Sequence, residues 1–403
     1  MPAAHLVVAG ASLAGLRAVE AARRKGFDGT VTLIGAETHL PYDRPPLSKE
    51  FLADAAATNF FRTKDSLRSE LGVHLRLGAP ATALRPEEQT LLVGTEEIRY
   101  TALVIATGAS ARELPGTPEL PGVHTLRTVD DAEAIRAALD AGARTVIIGA
   151  GFIGSEVACS ARRRGAPVTV LEAAPVPLAR AVGEQMGAAV ARLHQRNGTD
   201  VRCGVAVEGI EGSDRVAAVR LSDGSMLPAD LVVVGVGASP ATGWLEGSGL
   251  KLADGVVCDE TLCAGPPGVY AAGDIARWYN PLFGETMRLE HWTSAAEQGA
   301  IAARNAINPA EAVPCATVPY FWSDWYDSRI QFVGVPDADE VRVVLGDVDA
   351  DFLALYRRGD RLIGALGINQ RRSIMKLRMM ISESASWTDA LEFAGSLATR
   401  PIS

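Results

Sequence analysis

Thr145-Val146-Ile147-Ile148-Gly149-Ala150-Gly151-Phe152-Ile153-Gly154-Ser155-Glu156 decides the architecture of this chain. Four β-branched residues in a row suit a strand buried on both faces, as in a parallel sheet. A helix is predicted over Ser155–Arg164 and the next strand over Val168–Leu171. Between the first strand and the helix, Gly149, Gly151 and Gly154 meet the spacing G-x-G-x-x-G. A pyrophosphate at a helix N-terminus needs backbone N–H groups that no Cβ shields, and a turn open to positive φ. Glu172 closes the following strand. A carboxylate there accepts hydrogen bonds from a ribose diol and repels a 2′-phosphate, which favours NADH over NADPH.

The pattern has an earlier copy. Strand Leu6–Ala9 runs into Gly10-Ala11-Ser12-Leu13-Ala14-Gly15, then helix Leu16–Arg24, strand Thr30–Ile34 and Glu37, which supplies the ribose carboxylate. Ser12 stands where the second glycine is expected; it is small, and its hydroxyl can itself bond a phosphate. Two such units in one chain are hard to explain with a single dinucleotide.

Between the copies lie a β-rich return at 73–106 and a Pro/Gly-punctuated connection, Leu114-Pro115-Gly116 through Pro121-Gly122, a natural domain crossing. Strand Leu231–Val234 and the turn Gly235-Val236-Gly237-Ala238-Ser239-Pro240 make another. From Pro319 the sequence turns aromatic and alternating. Phe321-Trp322-Ser323-Asp324-Trp325-Tyr326 precedes predicted strands Arg329–Val333, Val341–Leu345, Phe352–Arg357 and Leu362–Leu366, with Arg357–Arg361 as a hairpin turn and a closing helix at 371–382. A small, mostly β third domain fits.

The totals exclude several classes. A net charge of −9 argues against nucleic acid, whose phosphates reward a Lys/Arg surface. No apolar run reaches the roughly 18 residues of a membrane span. The chain enters its first strand almost at once, which argues against a secretory signal. Five scattered cysteines without C-x-x-C fit a reducing cytoplasm, and no metal site is expected.

Leu40-Pro41-Tyr42-Asp43-Arg44-Pro45-Pro46-Leu47-Ser48-Lys49 is longer and more specific. Read with Ala106-Thr107-Gly108, Gly268-Val269-Tyr270-Ala271-Ala272-Gly273-Asp274, Glu290-His291-Trp292 and Phe321-Trp322-Ser323-Asp324, it closely resembles the FAD-dependent NADH:ferredoxin reductases that serve cytochrome monooxygenases and ring-hydroxylating dioxygenases. The resemblance spans essentially the whole chain. It implies an α/β fold of the glutathione-reductase-like kind, with two Rossmann-like dinucleotide-binding domains and a small α+β C-terminal domain. FAD would be held by residues 1–113 and 246–318 and NAD by 114–245, and 319–403 would form the third domain.

The implied roles make physical sense. Gly10, Ser12, Ala14 and Gly15 would face the FAD pyrophosphate, and Glu37 the adenosine ribose. Arg44 and Arg127 would lie near FAD phosphates or the ribityl, and Asp274 with Gly273 near the ribityl and flavin end. Ala81 and Trp292 would touch FAD through backbone atoms. The cofactor-binding set also takes in Ala106, Thr107, Gly108, Phe152, Ile153, Gly237 and Glu290, with Trp322 near the nicotinamide. Lys49 would stand beside the flavin ring, its charge stabilising the anionic reduced flavin, with Glu156 as its partner. His291 is expected to be structural, since hydride transfer to flavin needs no acid.

Cysteine placement narrows the chemistry. No cysteine precedes Cys159, Lys49 lies where disulfide reductases of this superfold carry a redox pair, and Cys258 and Cys263 sit far from either glycine turn. The implied activity is hydride transfer from NADH to FAD, then single electrons to a small 2Fe–2S ferredoxin. A rubredoxin reductase and an apoptosis-inducing-factor-like NADH-binding flavoprotein are the alternatives. Docking of an acidic ferredoxin calls for a local basic face, expected among Arg329, Arg371, Arg372, Lys376 and Arg378. The chain is expected to be a monomer or weak dimer.

Overall fold

Apolar runs at His5–Ala9 and Thr145–Ile148 each form the central strand of a five-stranded parallel sheet. The computed structural model describes residues 4–54, 56–117 and 119–398. The chain divides into two compact units. One comprises Met1–Asp43, Asn59–Ser110 and Ser239–Pro319, and the other Arg44–Thr58, Ala111–Ala238 and Tyr320–Ser403.

In the first unit the strand order is Val269–Ala271, Ala102–Ile105, His5–Ala9, Thr30–Ile34, Val73–Arg76. Leu6 pairs with Val31 on one side and with Ala102 on the other. The chain leaves the central strand in one direction and later returns on the opposite side, so the strand's carboxyl end is the switch point at which such sheets open a crevice. Helix Leu13–Arg24 starts there. It ends where Gly26 adopts φ 81° and Phe27 N–H reaches back to Ala22 O at 3.1 Å, a left-handed stop. Helix Trp292–Ile307 packs closely on it, because a Cβ on Gly299 would lie 2.2 Å from Ala14 O. The antiparallel strands Ala81–Arg85, Thr90–Val93 and Glu96–Arg99 supply the β-rich return.

The second unit repeats the plan: Asp200–Cys203, Val168–Glu172, Thr145–Ile148, Leu231–Val234, Val123–Thr125, all parallel. It also holds an antiparallel five-stranded sheet, ordered Tyr320–Trp325, Ser328–Gly334, Arg361–Ile368, Phe352–Arg358, Glu340–Gly346. Helices Arg371–Ser382 and Trp387–Ala398 follow. The core here includes Trp325, Phe332, Phe352 and Tyr356, each buried. A fully buried large apolar side chain contributes about 1.5–3 kcal/mol.

Four elements differ from the sequence-based expectation. Both helices after the glycine turns begin earlier, at Leu13 and Phe152, since Ser12 and Gly151 are extended N-caps and the last glycine of each motif is already helical. The aromatic run Tyr320–Trp325 is itself a strand, with Phe321, Ser323 and Trp325 buried in alternation. The helix Trp387–Ala398 was not anticipated, although Ser386 and Asp389 spell its capping box: Asp389 N–H donates to Ser386 Oγ at 3.1 Å, and Ser386 N–H to Asp389 Oδ2 at 3.2 Å.

Candidate active site

In the first unit, Gly10 has φ 125°, and a Cβ there would lie 2.0 Å from Ala106 O, so the turn presses against the Ala106–Gly108 backbone. A Cβ on Gly15 would lie 1.8 Å from Gly10 O. The helix Leu13–Arg24 has neither a side-chain cap nor an acid in its first turn. Helix Val129–Asp140, by contrast, is closed by a Thr128/Asp131 capping box. The uncapped end keeps its N–H groups and positive dipole for an anion. Beside it, Gln298 Oε1 accepts from Gly273 N–H at 2.8 Å, while the Gln298 Nε2 amide is buried with no partner among the described residues. An orphaned donor at an uncapped helix end fits the pyrophosphate of FAD.

The flanking residues are ordered by their own bonds. Tyr42 O–H donates to Glu37 Oε2 at 2.6 Å, presenting the half-buried carboxylate at the strand end. Ala81 opens its strand, and Thr107 Oγ1 donates to Ala241 O at 3.3 Å. Trp292 Nε1–H donates to Asp43 Oδ1 at 2.8 Å. Glu290 is taken up by Arg288 at 2.8 Å, and the same guanidinium donates to Asp274 O at 3.1 Å. Sequence reasoning missed Arg288, which carries no motif. Burial pushes the His291 imidazole down to about 4, so it is neutral at physiological pH.

The second cradle is built alike. Gly149 has φ 103°, with Gly235 O 2.4 Å from its would-be Cβ, and Gly154 would meet Gly149 O at 2.0 Å. Gly151 is different. Its Cβ would find nothing closer than Gly235 O at 3.8 Å. The middle position of the second motif therefore faces open space, unlike the glycines on either side of it. Glu172 Oε2 accepts from Ala150 N–H at 2.7 Å and Oε1 from Ala174 N–H at 2.8 Å. Phe152 packs on Phe321 with ring centroids 4.6 Å apart, Ile153 is 40% exposed, and Gly237 has φ 107°. Trp322 is half-buried and stacks on Tyr320.

Within the same unit, Lys49 and Glu156 come together. Nζ lies 2.7 Å from Glu156 Oε2, with side-chain exposures of 12% and 3%. Ser48 Oγ donates to the same oxygen at 2.5 Å, and Ser323 Oγ to Oε1 at 2.5 Å. The carboxylate is thus satisfied on both oxygens, which a buried charge requires. Ser160 Oγ donates to Ser48 O at 2.7 Å, fastening the segment to the helix Phe152–Arg163. Arg44 donates to Arg127 O at 2.6 Å, and Arg127 N–H to Asp131 Oδ2 at 2.9 Å. A cavity of about 380 Å³ opens on the pair, walled by Ser160, Arg163, Tyr326 and Asp327 among others.

The remaining thiols are unbridged. Burial raises Cys159 to about 12 and holds Cys258 above its ordinary range. Such thiols are poor nucleophiles. Among the described residues no His/Cys/Asp/Glu group could hold a metal, and no helix is long and apolar enough to cross a membrane.

Two parallel sheets, each with an uncapped glycine-turn helix and a strand-end carboxylate, define an oxidoreductase that holds two dinucleotides. The chain belongs to the pyridine nucleotide-disulphide oxidoreductases, whose pattern matches residues 4–299, and within them to the FAD- and NAD(H)-using ferredoxin reductases; a reductase C-terminal domain matches residues 320–397. It is 34% identical to rhodocoxin reductase of Rhodococcus erythropolis, over 94% of this chain and 89% of that one. It is 36% identical to the ferredoxin–NAD(+) reductase component of the p-cumate 2,3-dioxygenase system of Pseudomonas putida, over 94% of each. The crystal structure of a covalent putidaredoxin reductase–putidaredoxin complex matches with a TM-score of 0.91 at 31% identity, over 99% of each chain.

Proposed function

We propose that this chain takes electrons in pairs from NADH and passes them singly to a small 2Fe–2S ferredoxin that supplies a cytochrome monooxygenase or a ring-hydroxylating dioxygenase. The observation that carries this is the near-complete match to reductases named for such systems, one of them solved with its ferredoxin attached. Bound FAD supplies the conversion between two-electron and one-electron chemistry. In this reading residues 1–113 and 246–318 hold FAD, residues 114–245 hold NADH, and residues 319–403 form the third domain.

The chain's own residues position and bias that chemistry. Gly149, Gly151 and Gly154 admit the NADH pyrophosphate, with Phe152 and Ile153 opening the helix behind it. Glu172, fixed by two backbone N–H groups, receives the ribose diol and repels a 2′-phosphate. Gly10, Ser12, Ala14, Gly15, Glu37 and Gln298 take the FAD side. Lys49 brings a positive charge to the flavin, and Glu156 holds that charge in place.

The docking face we assign to the exposed side of helix Arg371–Ser382. It presents Arg371, Arg372 and Lys376 together with Met375 and Met379, which are 40% and 43% exposed. Apolar residues ringed by cations suit an acidic partner. Arg329 pairs with Asp324 at 2.6 Å and Arg378 lies over the Tyr320 ring, so these two are already engaged. Buried, unbridged Cys159, Cys258 and Cys315 support a cytoplasmic setting.

The test mixes the purified yellow protein with NADH and a panel of small iron–sulfur proteins, and follows cytochrome c reduction that depends on each. Reduction that requires a 2Fe–2S ferredoxin is expected. Flavin that NADH reduces but no ferredoxin reoxidises overturns the reading.

A further inference from the structure

We propose that Ser323 is a positioning residue for the Lys49–Glu156 pair, through which the C-terminal sheet tunes the redox site. This deepens the reading above and rests on that pair acting on bound flavin.

The geometry is directional. A serine hydroxyl has one proton to give. Trp325 Nε1–H donates to Ser323 Oγ at 2.9 Å, occupying an acceptor site on that oxygen. The hydroxyl proton is then left for Glu156 Oε1 at 2.5 Å. Ser323 and Trp325 are both fully buried, so neither group exchanges its bond with water. On the buried face of strand Tyr320–Trp325, Ser323 is the one small polar residue between Phe321 and Trp325. Alanine there would leave both Trp325 Nε1–H and Glu156 Oε1 without the hydroxyl they share, and an unsatisfied buried polar group costs free energy.

Glu156 Oε2 is held by Ser48 and Lys49, whereas Ser323 is the side chain that holds Oε1. Donors on both oxygens stop the carboxylate rotating and draw off part of its negative charge. Without Ser323, more of that charge falls on the Lys49 ammonium and cancels the field Lys49 presents. The residue sits 167 positions from Glu156 in sequence, so the contact exists only once the sheet is in place.

The experiment compares the FAD-loaded full chain with Ser323→Ala, Ser323→Thr, Glu156→Gln and the Ser323→Ala/Glu156→Gln double variant. It reads the flavin midpoint potential by spectroelectrochemistry and flavin reduction by NADH in anaerobic stopped flow. Ser323→Ala is expected to lower the potential and slow reduction roughly tenfold, the scale of one hydrogen bond to a charged group. Ser323→Thr is expected to restore both, and in the Glu156→Gln background the alanine is expected to change neither. If Ser323→Ala matches the wild type, or shifts both backgrounds equally, the hydroxyl acts through packing and the proposal falls. Should Ser323→Ala fail to take up FAD, Trp325→Phe removes the indole N–H that orients the hydroxyl, together with part of the buried ring. A smaller shift of the same sign, absent in Glu156→Gln, then supports the proposal, and no shift overturns it. If Glu156→Gln and Lys49→Met both leave potential and rate unchanged, it is the underlying reading of the pair that has failed.

Discussion

The carboxylate of Glu172 accepts a hydrogen bond from the backbone nitrogen of Ala150 at 2.7 Å, so the last residue of strand Val168–Glu172 is fastened to the glycine turn itself. Its charge is fixed beside the cradle before any nucleotide arrives. Replacing it therefore loosens the turn it braces as well as removing the carboxylate proposed to read the ribose. Glu172→Ala with Ala173→Arg is expected to lower kcat/KM for NADH at least tenfold and to raise it for NADPH. Steady-state kinetics with both nucleotides checks this, and no gain with NADPH removes Glu172 as the selecting residue.

Gly151 and Gly154 differ in what lies beyond them, and their alanine variants are expected to fail differently. Gly154→Ala drives a methyl to within 2.0 Å of Gly149 O and should destabilise the fold, lowering Tm by several degrees. Gly151→Ala meets only open space and should leave Tm near wild type while raising KM for NADH roughly tenfold. Thermal scans and NADH titrations of the two variants separate these outcomes.

Lys49→Met removes the ammonium from a carboxylate that is 3% exposed. Two serine hydroxyls remain on Glu156, so the loss of stability is expected near the low end for a broken buried pair, about 3 kcal/mol by urea unfolding. Flavin reduction by NADH should slow and the visible flavin spectrum should shift. Stopped-flow traces indistinguishable from wild type would place Lys49 away from the flavin.

His194 is fully buried, with Tyr326 Oη on Nδ1 at 2.8 Å and the Trp325 ring packed at a tilt against it, and burial lowers its pKa to about 4. The folded pKa lies below the unfolded value of 6.5, so only the unfolded chain binds this proton between those limits. Stability is full above pH 6.5 and falls by about 1.4 kcal/mol per pH unit from this residue as pH drops toward 4. His194→Gln should flatten the pH dependence of urea unfolding in that window; an unchanged slope contradicts the assignment.

Arg371→Glu together with Arg372→Glu reverses two charges on the exposed face of helix Arg371–Ser382. Ferredoxin-dependent cytochrome c reduction is expected to fall roughly tenfold at low salt, with the deficit closing at high salt as screening removes the field. Equal rates at every ionic strength would move the docking face elsewhere.

What the amino-acid sequence determined alone is local. The φ angles of Gly10 and Gly149, the strand–turn–helix order around them, and Glu37 and Glu172 at the strand ends all follow from neighbours within one supersecondary unit. The long motif around Lys49 brought its pairing with Glu156 only through resemblance. Tertiary structure decided the rest. Ser48 and Ser323 approach Glu156 across 108 and 167 positions, Tyr326 reaches His194 across 132, and Gln298 turns to Gly273 from another helix. Serine, glutamine and tyrosine carry no periodic signature. Whether such a side chain meets water or a buried carboxylate depends on which elements the fold brings against it, and a hydrogen bond needs that placement to within a few tenths of an ångström.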